Sequence, residues 1–310
     1  MSLQTTTFLV SIAVQSSVAV LFATIGALLT ERSGILNLGI EGMMLMGALS
    51  GFAAAHLTQS LFLGLLAALA TGAALALLHG VLTISMRANQ IVCGLSLAIL
   101  GSGLSSFLGR PLIGKTAVRF SPWPVPLLHN IPLLGPALFN QALLVYLAYL
   151  LVPMAWFVLF RTRPGLNLRA VGENPAAADA AGVMVVGTRY FWTTVGGAFV
   201  GVSGAHLSLA YAPGWKENIS SGQGWIAVGM VIFSLWNPWR AALGALLFGA
   251  VNALQFTLEA RQITVVPSYI LRMLPYLFTI LILVIITRSE QTRRSAIAPA
   301  ALGIPFERER

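Results

Sequence analysis

Long apolar stretches recur along this chain, at a length that fits few folds. Residues 8–29 form the first, closed by Glu31 and Arg32. Further runs occupy 34–55, 61–86, 91–108, 142–160, 190–211, 225–236, 241–258 and 267–287. A helix needs roughly 20 apolar residues to cross about 30 Å of hydrocarbon. Composition agrees: 57% of residues are hydrophobic and 9% charged, against about 25% charged in an ordinary soluble domain. Mean hydropathy is +0.84. These values exclude a soluble globular enzyme, a disordered chain and a coiled coil. The expected fold class is all-α, a polytopic transmembrane helical bundle of about nine spans, with eight to ten allowed.

Residues 1–288 read as one membrane domain and 289–310 as a charged, mobile cytoplasmic tail. The N-terminal run lacks the basic start of a cleavable signal and is expected to remain as a span. Cys93 is the only cysteine, so neither an intramolecular disulfide nor a thiolate metal cluster can form. The net charge of +9 is read as membrane topology, because Lys and Arg accumulate in cytoplasmic loops. The basic residues are scattered, without the stripe that nucleic acid requires. Nine spans place twelve of the 18 Lys and Arg residues inside and six outside. That bias predicts an external N-terminus and a cytoplasmic C-terminus.

Between the fourth and fifth runs, residues 109–140 contain Pro111, Pro122, Pro124, Pro126, Pro132 and Pro136. Such density forbids a regular helix and predicts a loop with short interfacial pieces. Gly109, Gly114, Lys115 and Thr116 match the spacing of a phosphate-binding loop. That motif works between a buried strand and a helix; here an apolar run precedes it and prolines follow. ATP binding at this place is rejected. His56, His79, His129 and His206 are far apart, so no metal or other cofactor is indicated. Neither paired carboxylates nor a nucleophile turn appears, and the chain is not expected to be an enzyme. The sequon at Asn218 and Ser220 is read as chance. The pairs Gly47/Gly51, Gly197/Gly201 and Gly201/Gly204 read as close helix packing.

Two segments stand out. In 33–48, Asn37 and Glu41 lie four apart, which on a helix puts amide and carboxylate on one face. A charge inside a membrane must face protein or water, so a packing bond, a polar pathway and a broken-helix hinge all fit. In 169–183, Asn174 can cap and Pro175 suits the first helical turn. Alanines then favour helix, and Gly182 ends it. The segment predicts a short cytoplasmic helix within the polar stretch 161–189, whose small side chains let a partner approach. A bland loop helix is the alternative.

These segments resemble the S-G-x-x-N-L-G-x-E-G-x-M and G-E-N-P-x-A-A-x-x-A-G patterns of bacterial ABC importer permeases of the branched-chain amino acid, ribose and nucleoside superfamily. Asn89 to Gly94 also fits the family's loop before the fourth span. The likeness covers the chain to about Arg288 and is strongest to the nucleoside and simple-sugar branch. It implies a type II-like permease subunit that hydrolyses nothing, in a bacterial inner membrane. Its implied partners are a cytoplasmic ABC ATPase, a second permease as heterodimer, an external solute-binding protein and membrane lipid. The coupling helix would comprise about 172–183, with Gly172, Glu173, Asn174, Pro175, Ala176, Ala177, Asp179, Ala181 and Gly182 against the ATPase. Nucleosides lead as solute, followed by simple sugars and branched-chain amino acids. The polar residues in or beside spans that would line the route are Asn37, Glu41, Asn89, Gln90, Ser96, Asn252 and Gln255. An ion-coupled secondary transporter is the rival class.

Overall fold

A computed structural model describes residues 3–131, 134–260, the single positions 273, 277, 280, 281 and 284, and 298–308. The chain is a helical bundle. Its helices are α1 (Leu3–Arg32), α2 (Ile40–Thr58), α3 (Leu61–Gly80), α4 (Gln90–Gly109), α5 (Leu134–Leu138), α6 (Leu143–Arg161), α7 (Arg163–Glu173), α8 (Pro175–Ala180), α9 (Val185–His206), α10 (Gln223–Ser234) and α11 (Pro238–Ala260). Among the described residues six helices are long and apolar enough to cross a membrane: Thr6–Arg32, Ile40–Thr58, Leu61–Ser85, Gln90–Leu112, Leu143–Arg161 and Pro238–Glu259. The expected run 190–211 falls on α9, which is outside those six. The run 225–236 falls on α10, whose 12 residues reach only about 18 Å. The run 267–287 lies outside the described residues, apart from isolated positions. The expectation of nine spans is therefore not confirmed.

Several helix starts follow from local chemistry. Ser60 accepts from the Leu63 amide at the start of α3, and Asn89 accepts from Ile91 and Val92 at the start of α4. Thr162 accepts from Gly165 at α7. Each side chain satisfies amides that have no partner within their own helix.

The bundle closes around α9, which packs on α1, α2 and α3. Glycines allow this contact. A methyl group on Gly47 would fall 2.5 Å from the Gly201 carbonyl oxygen. Gly26 meets Gly196 and Gly72 meets Gly197 with no more room. Backbones this close maximise dispersion where lipid offers helices little hydrophobic drive to associate. The glycine pairs are thus packing features, as their spacing suggests.

The proline-rich loop holds a two-residue antiparallel pair, Trp123–Pro124 with Asn140–Gln141. Tyr146 braces it: its hydroxyl donates to the Trp123 carbonyl at 2.8 Å and accepts from the Gln141 amide at 3.0 Å.

Helix α10 fixes the depth of the other elements. At its C-terminal end, Trp236 Nε1 donates to Glu31 Oε2 at 2.8 Å, and Arg32 donates to the Trp236 carbonyl at 3.2 Å. That end is therefore level with the end of α1. The N-terminus of α10 lies about 18 Å further into the bundle along the helix. There it meets Glu41 in the first turn of α2. Helix α2 thus starts inside the bundle, and residues 33–39 thread to it from the end of α1 without regular structure. This corrects the expected shared helix face: Asn37 precedes the helix and Glu41 is inside it. The reason is long-range bonding. Leu36 donates to Gln90 Oε1 at 2.6 Å, and its carbonyl accepts from His79 Nε2 at 3.1 Å. Irregular backbone at such depth survives only when protein satisfies it.

Residues 298–308 are not a free tail. They pack along the end of the bundle that carries α7 and α8, with Ala301 buried.

Candidate functional site

Two regions of the bundle carry functional features: the interior junction of α2 with α10, and the α7–α8 element at the arginine-rich end.

At the junction, Glu41 is buried, and its polar partners come from the loop before α10 and from the first turn of α10. Gly224 donates its amide at 2.7 Å and Gly222 at 3.1 Å; the Ser220 hydroxyl donates to the same carboxylate. The carboxylate sits at the positive end of α10, where an anion is favoured. Gly224 is required, since a methyl group there would fall 2.6 Å from Glu41 Cα. Non-glycine residues with positive φ flank α10: Asn218 and Ser221 before it, Leu235 and Trp236 after. Such conformations cost of order 1–3 kcal/mol each and persist only where the surroundings impose them. Glu41 imposes the first bend, and Glu31 with Arg32 imposes the second. An open groove beside the junction is lined by Glu41, Leu45, Ile99, Ser102, Asn218 and Trp225.

A cavity of about 440 Å³ lies between α10, α11 and the end of α9. Tyr211, Phe248 and Phe256 supply rings, and Gln223, Asn252 and Gln255 supply amides. Gln255 donates to Glu259 Oε1 at 3.3 Å. Gln223 is 8% exposed, and its Oε1 has no hydrogen-bond partner. A buried carbonyl left unpaired costs about 1–3 kcal/mol, so it is poised to accept a bond from a guest.

The residues expected along a route therefore divide. Glu41 borders the groove, and Asn252 and Gln255 line the cavity. Asn37 is buried and serves its own turn, accepting from the Gly39 amide at 2.8 Å. Gln90 holds Leu36, and Asn89 is an exposed helix cap. Ser96 is exposed among the apolar side chains of α4. Sequence reasoning missed Gln223 and Ser220. The available signal was a glycine-flanked polar stretch, 220–224, before an apolar run too short to cross.

At the other region, Asn174 Oδ1 accepts from the Ala177 amide at 3.0 Å, and Pro175 opens α8. Gly182 ends the turn with φ +84°, a conformation that other residues adopt at a cost. The expected short helix is present, but Gly172 and Glu173 close α7 instead, so the segment bends at Asn174. Ala178 is buried against Val171 and Val185. Ala176, Ala177, Ala181 and Gly182 face outward. Met184 follows them, 80% exposed. Gly172 is buried, and a methyl group there would collide with the Arg32 carbonyl. Asp179 pairs with Arg308 at 2.8 Å.

The family described as branched-chain amino acid transport system / permease component matches residues 8–287. The chain belongs to that family. The putative glucose ABC transporter permease protein TsgC13 of Haloferax volcanii is 39% identical, covering 97% of this chain and 98% of its own length. The nucleoside ABC transporter permease protein NupC of Lactococcus lactis is 36% identical, over 94% and 93%. The guanosine ABC transporter permease protein NupQ of Bacillus subtilis is 34% identical, over 92% of each. No solved structure matches the chain at a significant level. The chain is thus a multi-pass ABC transporter permease and not itself an enzyme. The relatives divide between sugars and nucleosides, in agreement with the branch that the sequence resembles.

Proposed function

We propose that this permease forms half of the solute pathway of an ATP-driven importer in a bacterial inner membrane, and that its solute is a nucleoside. The α8 end faces the cytoplasm, and a separate ABC ATPase bears on it. A second, non-identical permease completes the pathway, and an external binding protein delivers the solute. The exposed small side chains of α8 support the docking role. Ala176, Ala177 and Ala181 let a partner groove come close to the backbone, and few rotamers are lost on contact.

The observation that carries the solute reading is the unpartnered Gln223 carbonyl in a cavity whose lining includes three rings and three amides, with Lys216, Ser221 and Glu259 beside them. A nucleoside base is flat enough to stack on Tyr211 or Phe248 and carries N–H donors for Gln223. Two of the relatives above carry nucleoside or guanosine in their names, which agrees. Simple sugars are the second reading, favoured by the glucose permease relative. A branched-chain amino acid is supported by the family description alone.

The test is uptake by the complete transporter in vesicles, with labelled guanosine and labelled glucose. Guanosine is expected to be taken up saturably, and glucose not to compete. Gln223→Met keeps the shape and removes the acceptor. One lost hydrogen bond of about 1–1.5 kcal/mol should lower guanosine uptake at limiting solute roughly 5- to 12-fold. Saturable glucose uptake without guanosine uptake would reverse the order of the two readings.

A further inference from the structure

We propose that residues 298–308 are a positioning strap, which carries movement of α8 to the threaded segment 33–39 and so to the Glu41 junction. The inference rests on the importer reading and adds a second coupling element to α8.

The strap touches each part that such a transfer needs. Ala301 donates its amide to the Gly172 carbonyl at 2.9 Å, at the end of α7. Gly303 donates to the Gly34 carbonyl at 3.1 Å, at the start of the threaded segment. Arg189 of α9, fully buried, donates to the Ile304 carbonyl at 3.2 Å. Glu307 pairs with Arg87, just before α4, and Arg308 with Asp179 on α8. Phe306 packs on the small cluster of Val171, Ala178 and Val185 that seats α8. Ala301 is 5% exposed.

Two features set this apart from chance packing. The bonds to Gly172 and Gly34 are backbone to backbone, so they fix the path of the strap whatever its side chains. They also join two segments that meet through the end of α1 as well, where Gly172 abuts Arg32. A push on α8 reaches Gly34 through Ala301 and Gly303, two residues apart. From Gly34 the chain leads through residues 35–37 and the turn at 38–39 to Glu41, whose carboxylate holds the top of α10. The bonds of Leu36 with Gln90 and His79, and of Gly39 with Asn37, leave this segment little slack, whereas a free loop would absorb the movement.

The experiment uses the complete transporter in vesicles and reads solute taken up per ATP hydrolysed. One variant lacks 298–310. Another is Arg308→Glu, and a third is Arg308→Lys, which keeps the charge facing Asp179. The deletion is expected to retain the ATPase, because the exposed face of α8 is untouched, and to lower the uptake-to-hydrolysis ratio at least threefold. Arg308 is 76% exposed in its side chain, so its reversal should leave the fold intact and lower the ratio about twofold, while Arg308→Lys should keep the unmodified ratio. Amide exchange on the permease supplies a readout independent of ATP. Deletion should speed exchange in 33–39 and leave α3 and α9 protected. A deletion variant with a normal ratio and unchanged exchange in 33–39 overturns the strap. So does loss of the ATPase from both the deletion and the Arg308→Glu variant, which would make 298–308 part of the docking surface. If the deletion fails to fold, the charge reversal and Arg308→Lys decide. Absence of ATP-driven uptake by the unmodified complex would instead overturn the importer reading.

Discussion

Replacing Glu41 by leucine removes the acceptor for three donors at once, two of them buried. The Ser220 hydroxyl can rotate towards another acceptor. The amides of Gly222 and Gly224 cannot, because left-handed Ser221 and the first turn of α10 fix their direction. Two stranded amides, with the part-buried Gly222 at the low end of about 1–3 kcal/mol each, cost about 2–4 kcal/mol. Loss of a charge at the helix N-terminus adds about 0.3–1 kcal/mol. Glu41→Gln keeps one acceptor oxygen but opposes an N–H to the other amide, and replaces charge-assisted bonds by neutral ones, at about 1–3 kcal/mol. The loss falls on the top of α10, so local opening is the sensitive readout. Amide exchange at Gly222 and Gly224 in the purified permease should rise about 5- to 150-fold in the glutamine variant, and by about 30-fold or more in the leucine variant. The glutamine variant should still assemble with its partners and transport less. Wild-type protection of both amides in Glu41→Leu would refute the reasoning, since Glu41 would then not hold the half-helix.

Two further outcomes are expected. Ala177 is exposed on α8, so Ala177→Trp leaves the isolated permease as stable as before and meets only a docked partner; a clash of about 1–3 kcal/mol should weaken ATPase pull-down roughly 5- to 150-fold. With Cys93→Ala as background, Ala181→Cys should resist an impermeant thiol reagent applied to intact cells and react once the membrane is opened; labelling from outside would invert the orientation read from the arginines.

The α8 turn was legible because every part of it is local. Asn174 caps the amide three residues on, proline fits the first turn, and glycine takes the left-handed exit. None of these depends on distant chain. The end of α7 was not legible. Gly172 belongs to it because it must pass beneath the Arg32 carbonyl, a contact with α1. Asn37 and Glu41 were chosen correctly as unusual and grouped wrongly. Helical spacing assumes a helix, and Gln90, His79 and Gly303 hold that backbone out of one. Asn252 and Gln255 were found as polar groups in an apolar run, whereas Gln223 became visible only when its carbonyl was seen to lack a partner.

Hydrophobicity is a property of each residue and adds along the chain, so the sequence by itself determined a membrane-spanning helical bundle and its breaks. The family patterns added the permease reading for the same reason, since they are written in consecutive residues. Depth and pairing are relations between residues far apart. That α2 and α10 start against each other inside the bundle, that one carboxylate joins them, and that residues 298–308 fold back onto α8 follow from contacts 120 to 270 positions apart. Only the tertiary structure decided them, because buried backbone groups must find partners wherever the packed helices bring one within reach.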